Sequence, residues 1–223
     1  MTATINLVDI ADSLQQGDEN TLLCYLEDLE AHFKKREPNV LAFVPQEERF
    51  GRLRNEARAL LAQYPYPDTR PPLFGVPVGV KDVFHVNGFV THAGSKLPSD
   101  EIHGQEADSV SRLKAAGALI IGKTVTTEFA YLAYGPTLNP HNPRHTPGGS
   151  SSGSAAAVGT GMCPLALGTQ TIGSITRPAA FCGTVGYKPT YERVSRSGVI
   201  PLSPSVDHVG HFASDVAGAR LAA

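Results

Sequence analysis

The run Gly148-Gly149-Ser150-Ser151-Ser152-Gly153-Ser154 leads straight into Ala155-Ala156-Ala157-Val158. A tract rich in glycine and serine is punctuation for the backbone, and here it is followed by residues that favour a buried helix. Three local readings fit: a flexible linker, a helix N-terminus that cradles an anion, and a loop that carries serine chemistry. The tract is short and continues into apolar residues, which weighs against a linker. The Gly-Lys-Ser/Thr ending of a phosphate loop is absent, which weighs against a phosphate cradle.

Around this tract the chain changes texture once. Leu22, Leu26, Leu29 and Phe33 recur at helical spacing, with Pro38 expected to close that helix and Lys34-Lys35-Arg36 forming its basic end. Phe50, Leu53, Ala57, Leu60 and Leu61 predict a second helix before Pro65. A proline-rich bridge over 65–72 then divides an N-terminal helical segment, 1–64, from a core over 65–223. The bridge suits either a domain linker or a wrap of helices over the following core.

From Leu73 onward the pattern is α/β. Short strands are predicted at Val76–Val80, Ala118–Ile121, Pro164–Leu167 and Thr184–Tyr187, with helices at Ser109–Ala116 and from Ala155. Such alternation favours a central sheet covered by helices. Asp215–Ala223 reads as the first turns of a helix that Asp215 caps, so more chain is expected beyond Ala223.

With 41% hydrophobic and 18% charged residues in a chain of 223, a substantial core is expected and disorder is not. The net charge of −2 and the absence of a basic stripe give no support for a nucleic-acid partner. No apolar stretch approaches the ~20 residues of a membrane helix, and no secretory leader is apparent at Met1–Asn6. Cys24, Cys163 and Cys182 show no metal-ligand spacing and read as free thiols in a reducing, cytoplasmic setting. Cys182 follows Ala179-Ala180-Phe181 and is read as a packed structural thiol.

Candidate chemistry centres on two further sites. In Gly168-Thr169-Gln170-Thr171-Ile172-Gly173-Ser174-Ile175 a strand is expected to lead in and a short helix out. A serine at such a turn sits among backbone N–H groups that can stabilise an oxyanion, each worth roughly 3–4 kcal/mol in well-studied cases. Ser174 as a plain helix N-cap is the competing local reading. A serine needs a base. None of the eight histidines stands in a recognisable nucleophile–base pattern, and His208 and His211 are read as surface or structural residues. Lys81 ends the apolar strand, and burial would favour its neutral form. In isolation, an ordinary lysine with a buried stem fits as well.

Taken together the segments resemble the amidase signature family over about Pro72 to Asp215. The resemblance rests on Gly-Val-Pro-Val-Gly-Val-Lys-Asp at 75–82, Gly-Lys-Thr-Val-Thr-Thr-Glu-Phe at 122–129 and Asn139-Pro140-His141-Asn142-Pro143. It continues through Pro-Gly-Gly-Ser-Ser-Ser-Gly-Ser at 147–154, Leu-Gly-Thr-Gln-Thr-Ile-Gly-Ser at 167–174 and Phe-Cys-Gly-Thr-Val-Gly-Tyr-Lys-Pro-Thr at 181–190. Six ordered elements are highly specific. They imply a mixed central β-sheet with helices on both faces, incomplete in this chain. They imply Ser174 as nucleophile, Ser150 as bridging serine after a cis peptide, and Lys81 as base. They further imply an oxyanion hole from the N–H groups of Thr171, Ile172, Gly173 and Ser174, with Ser151 supporting the relay. No metal or organic cofactor is implied.

This chain departs from the common form Gly-Thr-Asp-Thr-Gly-Gly-Ser-Ile-Arg. Gln170 replaces the acid, Thr176 replaces the arginine, and Ile172 replaces a glycine, with Arg177 one place further on as a partial substitute. The acid and the base are lost together, so local charge stays balanced. Ile172 requires ordinary backbone geometry in the turn. The leading expectation is an amidase acting on a small-molecule amide, with esterase side activity. The alternatives are a glutaminase subunit of a transamidation complex and an inactive truncated fragment. Residues 1–64 either make a homodimer contact or cover the core.

Overall fold

The computed structural model describes residues 6–223. Five strands form one mixed sheet: β1 (Pro77–Lys81), β2 (Leu119–Thr124), β3 (Leu165–Gln170), β4 (Val185–Tyr187) and β5 (His208–Ala213), in the order β2-β1-β3-β5-β4. β1 runs parallel to both β2 and β3, and β5 is antiparallel to β3 and β4. β1, β2 and β3 are buried along their whole length, which explains their near-continuous apolar runs.

Among the described residues seven α-helices accompany the sheet: α1 (Leu7–Gln16), α2 (Glu19–Val40), α3 (Arg49–Gln63), α4 (Asp108–Ala115), α5 (Ser152–Gly159), α6 (Thr176–Cys182) and α7 (Val216–Leu221). α2 begins with a capping box, in which the Asp18 carboxylate accepts the Thr21 N–H and the Thr21 hydroxyl accepts the Asp18 N–H. Its buried stripe is Leu22, Leu26, Leu29 and Phe33, as the spacing predicts. Those residues share one hydrophobic cluster with Val78, Val80, Ile121 and Leu165 of the sheet. α3 lies against β2, where Arg49 and Arg52 donate to the Ile121 carbonyl at 2.9 and 3.2 Å.

Two expectations for α2 need correction. Pro38 does not close the helix, which runs on to Val40 and ends at Leu41 in the left-handed region. Pro38 has no N–H to give the Lys34 carbonyl, so one helical bond is lost, but the helix ends further on, where the Glu37 carboxylate accepts the N–H groups of Ala42 and Phe43. Lys34, Lys35 and Arg36 therefore lie inside the helix and not in its last turn; Lys34 pairs with Glu30 at 2.7 Å.

β5 had no counterpart in the sequence pattern. His208-Val209-Gly210-His211 hides the alternation of a strand, and the glycine is required by proximity: a Cβ at 210 would overlap the Tyr187 carbonyl of β4. His211 is buried and bonds to the Ala219 carbonyl at 2.9 Å, a structural role. α7 starts where expected, with the Asp215 carboxylate accepting the Gly218 N–H at 2.7 Å.

Candidate active site

The carboxyl ends of β1 and β3 lie side by side in parallel, the usual position for a site in an open α/β sheet. β1 delivers Lys81, β3 delivers the turn that leads to Ser174, and the serine tract enters α5 between them.

Lys81 is fully buried. Its Nζ lies 2.8 Å from Ser150 Oγ and 2.7 Å from Thr169 Oγ1. Burial pulls the ammonium down to about 7, against the opposing pull of the Asp207 carboxylate. An amine in that range is neutral in a large share of molecules at neutral pH and can accept the Ser150 proton. Next in sequence, Asp82 is paired with the buried Lys123 of β2 at 2.8 Å. The Lys-Asp dipeptide therefore does not neutralise itself.

The serine tract is stitched to the sheet. Ser151 Oγ donates to the Thr169 carbonyl at 3.2 Å and accepts the Thr169 N–H at 3.3 Å. Ser152 Oγ donates to the Val125 carbonyl and Ser154 Oγ to the Leu167 carbonyl. A Cβ at Gly153 would run into the backbones of Ala42 and Val125, so only glycine fits there. The Gly149–Ser150 peptide is cis, as the resemblance implies. These anchors rule out a flexible linker.

The Gln170–Ser174 segment is held by its own departures from the common form. Gln170 Oε1 accepts the N–H groups of Ile175 and Thr176 at 2.8 and 2.9 Å, fastening the start of α6. A neutral carboxamide suffices for that work. Among the described residues Arg177 pairs with no acid, and its Nε and Nη2 donate to the Gly149 carbonyl at 3.0 and 2.6 Å, directly before Ser150. Ile172 is 93% exposed. Neither Ile172 nor Gly173 uses the left-handed region, so the β-branched residue is accommodated without difficulty. Among the described residues, the N–H groups of Thr171, Ile172, Gly173 and Ser174 have no acceptor, and Ser174 Oγ makes no hydrogen bond. Lys81 and Ser150 are thus in contact, whereas no bond joins Ser150 to Ser174.

α6 also holds the serine tract from its far end. Cys182 Sγ donates to the Pro147 carbonyl at 3.3 Å, and Asn139 Nδ2 donates to the carbonyls of Thr146 and Phe181, both at 3.0 Å. The Asn-Pro-His-Asn-Pro motif is therefore a brace between α6 and the tract. Burial pushes the Cys182 thiol up to about 12, which leaves it an inert structural group as expected. All three cysteines are free.

Thr169 is the residue sequence reasoning passed over. A hydroxyl in the otherwise apolar run Leu165-Ala166-Leu167-Gly168 was the available signal. Among the described residues, no cluster of three or more histidine, cysteine, aspartate or glutamate side chains is arranged to hold a metal ion.

The amidase family profile matches residues 39–223. The chain belongs to the amidase family. Among curated relatives it is 49% identical over 160 residues to a glutamyl-tRNA(Gln) amidotransferase subunit of Koribacter versatilis, covering 69% of this chain and 33% of the relative. It is 42% identical over 224 residues to the corresponding protein of Nitratidesulfovibrio vulgaris, covering 98% of this chain and 45% of the relative. Among solved structures, the peptide amidase of Stenotrophomonas maltophilia superposes with a TM-score of 0.84 at 34% identity, over 97% of this chain and 46% of that one. A structure from a vestigial protein complex bearing on the origins of an s-triazine catabolic enzyme gives a TM-score of 0.87 at 37% identity, over 97% and 48%. The chain spans about a third to a half of the length of the amidase-family proteins it matches. Among the described residues, no helix is long and apolar enough to cross a membrane.

Proposed function

We propose that this chain carries the catalytic centre of an amide hydrolase working through a serine acyl-enzyme. The observation that carries the reading is the bond between Ser150 and a fully buried lysine that burial pulls down to about 7. Neutral Lys81 takes the Ser150 proton as Ser150 takes that of Ser174. Ser174 Oγ then attacks the amide carbon. The free N–H groups of residues 171–174 receive the negative charge that develops on the carbonyl oxygen. Ser150 next returns a proton to the departing amine, which breaks the C–N bond. Water enters along the reverse relay and releases the acid. Thr169 steadies the lysine, Ser151 grips Thr169, Gln170 sets the start of α6, and Arg177 fixes the Gly149 carbonyl ahead of the bridging serine.

Two substrates compete. A small-molecule amide suits a stand-alone amidase, as the resemblance to a peptide amidase structure supports. Glutamine suits an enzyme that hands ammonia to a partner protein, and the curated relatives, components of an amidotransferase, favour this second reading. Ammonia release should be measured from glutamine and from a series of simple carboxamides, with Ser174→Ala as control. Release from glutamine, together with co-purification of a partner protein, supports the partner-dependent enzyme. Release from the simple amides alone supports the stand-alone one. Turnover that survives in Ser174→Ala would sink the nucleophile assignment.

A further inference from the structure

Asp207 precedes β5 and carries no role in the relay described above, yet its carboxylate is buried and fully engaged. Oδ1 accepts the Thr171 hydroxyl at 2.5 Å, and Oδ2 accepts the N–H groups of Leu202 and Ser203, each at 2.8 Å. One carboxylate thus ties the first residue of the 171–174 turn to the 202–207 segment. Both segments line one cleft that also includes Thr169, the hydroxyl on Lys81.

The charged and titratable groups around Lys81 are otherwise occupied. Asp82, at the end of β1, is paired with Lys123 of β2. Arg177 of α6 is committed to the Gly149 carbonyl. On the cleft side, Arg196 donates to the Pro204 carbonyl and to Glu192, and His208 Nδ1 faces the carbonyls of Val206 and Gln170. No cation pairs with Asp207 among the described residues. Its carboxylate is the charge that opposes the effect of burial on Lys81.

We propose that Asp207 is a positioning residue for amide hydrolysis: it fastens the oxyanion turn through Thr171 and supplies the negative charge that steadies protonated Lys81. This rests on the relay reading above. A base must hold the proton it collects and give it back, which works best when its pKa lies near the working pH. Burial alone would carry Lys81 lower than about 7, and Asp207 opposes that fall.

The test is a direct titration of the full chain carrying ¹³Cε-labelled lysine, with the Lys81 signal assigned by its loss in Lys81→Met. Asp207→Asn keeps the side-chain shape and removes the charge. The Lys81 midpoint should fall by about 0.5 pH unit or more, because the nearby negative charge that opposes the effect of burial is gone. The acid limb of fluorophosphonate labelling at Ser174 should move down with it, and the plateau rate should drop. A Lys81 midpoint that stays put in Asp207→Asn overturns the electrostatic half of the proposal. A wild-type midpoint near the ordinary lysine value would instead overturn the relay reading. Thr171→Val cuts the tether and keeps the charge. It should lower the plateau without moving the midpoint, and an unchanged plateau overturns the tethering half even where Asp207→Asn fails to fold.

Discussion

Replacing Lys81 by methionine should change how the stability of the fold depends on pH, and the size of the change follows from the structure. Lys81 is fully buried, and burial pulls it from 10.5 to about 7, with Asp207 opposing. Below pH 7 the lysine is charged both folded and unfolded, so its contribution does not vary with pH. Between about 7 and 10.5 the unfolded chain still binds the proton and the folded chain does not. Stability therefore rises with pH across that window, at about 1.4 kcal/mol per pH unit. Methionine removes this titration. It also removes the bonds to Ser150 and Thr169, a loss that shifts the curve by a constant amount. Urea unfolding followed by circular dichroism at pH 7 and pH 9.5, on both proteins, isolates the pH-dependent part because every other group is shared. The wild type should gain about 3 kcal/mol over Lys81→Met between those pH values. Parallel curves would mean that the folded lysine keeps its proton, and the base assignment would fall with them.

The remaining predictions concern the supports of the site. Lys123→Met strands the buried Asp82 carboxylate and should destabilise the fold by about 3–5 kcal/mol in urea unfolding, with most of the loss recovered in the double variant Asp82→Asn/Lys123→Met; a loss below about 1 kcal/mol would mean the pair is solvated. Arg177→Met should slow acylation at Ser174 by about 10-fold or more, because the Gly149 carbonyl loses both of its donors. The measurement is the single-turnover labelling rate beside the unfolding midpoint, and a rate that follows stability alone would remove the positioning role. Amide hydrolysis should rise from acid through neutral pH as Lys81 loses its proton, with a midpoint near the lysine value of about 7; a fall over that range contradicts a lysine base.

The sequence carried a good deal of this in local signals. The 4-3-4 spacing of α2, the apolar strand ending in Lys81, and the glycine-serine tract feeding α5 each arise from neighbours in sequence, so pattern reading reached them. The six motifs, taken in order, are what point beyond the plain readings of Lys81 as an ordinary lysine with a buried stem and Ser174 as a helix cap. What escaped is long-range. Thr169 matters because two strands run parallel and bring it to Lys81, a contact across 88 positions. Asp207 meets Thr171 only because β5 folds back antiparallel on β3. β5 itself is masked by Gly210, whose cause is a carbonyl on another strand. Pro38 misled because its missing N–H removes one helical bond without ending the helix, whose end is set further on, where Leu41 turns left-handed and the Glu37 carboxylate accepts the N–H groups of Ala42 and Phe43. The Gln170 and Arg177 departures were visible as substitutions, but their meaning needed coordinates, since one holds α6 and the other holds Gly149.

The measurement that bears most directly on the central claim is the intact mass of the 223-residue chain after treatment with a fluorophosphonate, beside Ser174→Ala and Lys81→Met. The account predicts a single adduct on the parent chain, located at Ser174, absent from Ser174→Ala and strongly slowed in Lys81→Met. An adduct that persists in Ser174→Ala, or a folded parent chain that takes up no label at any pH through 9.5, would contradict it.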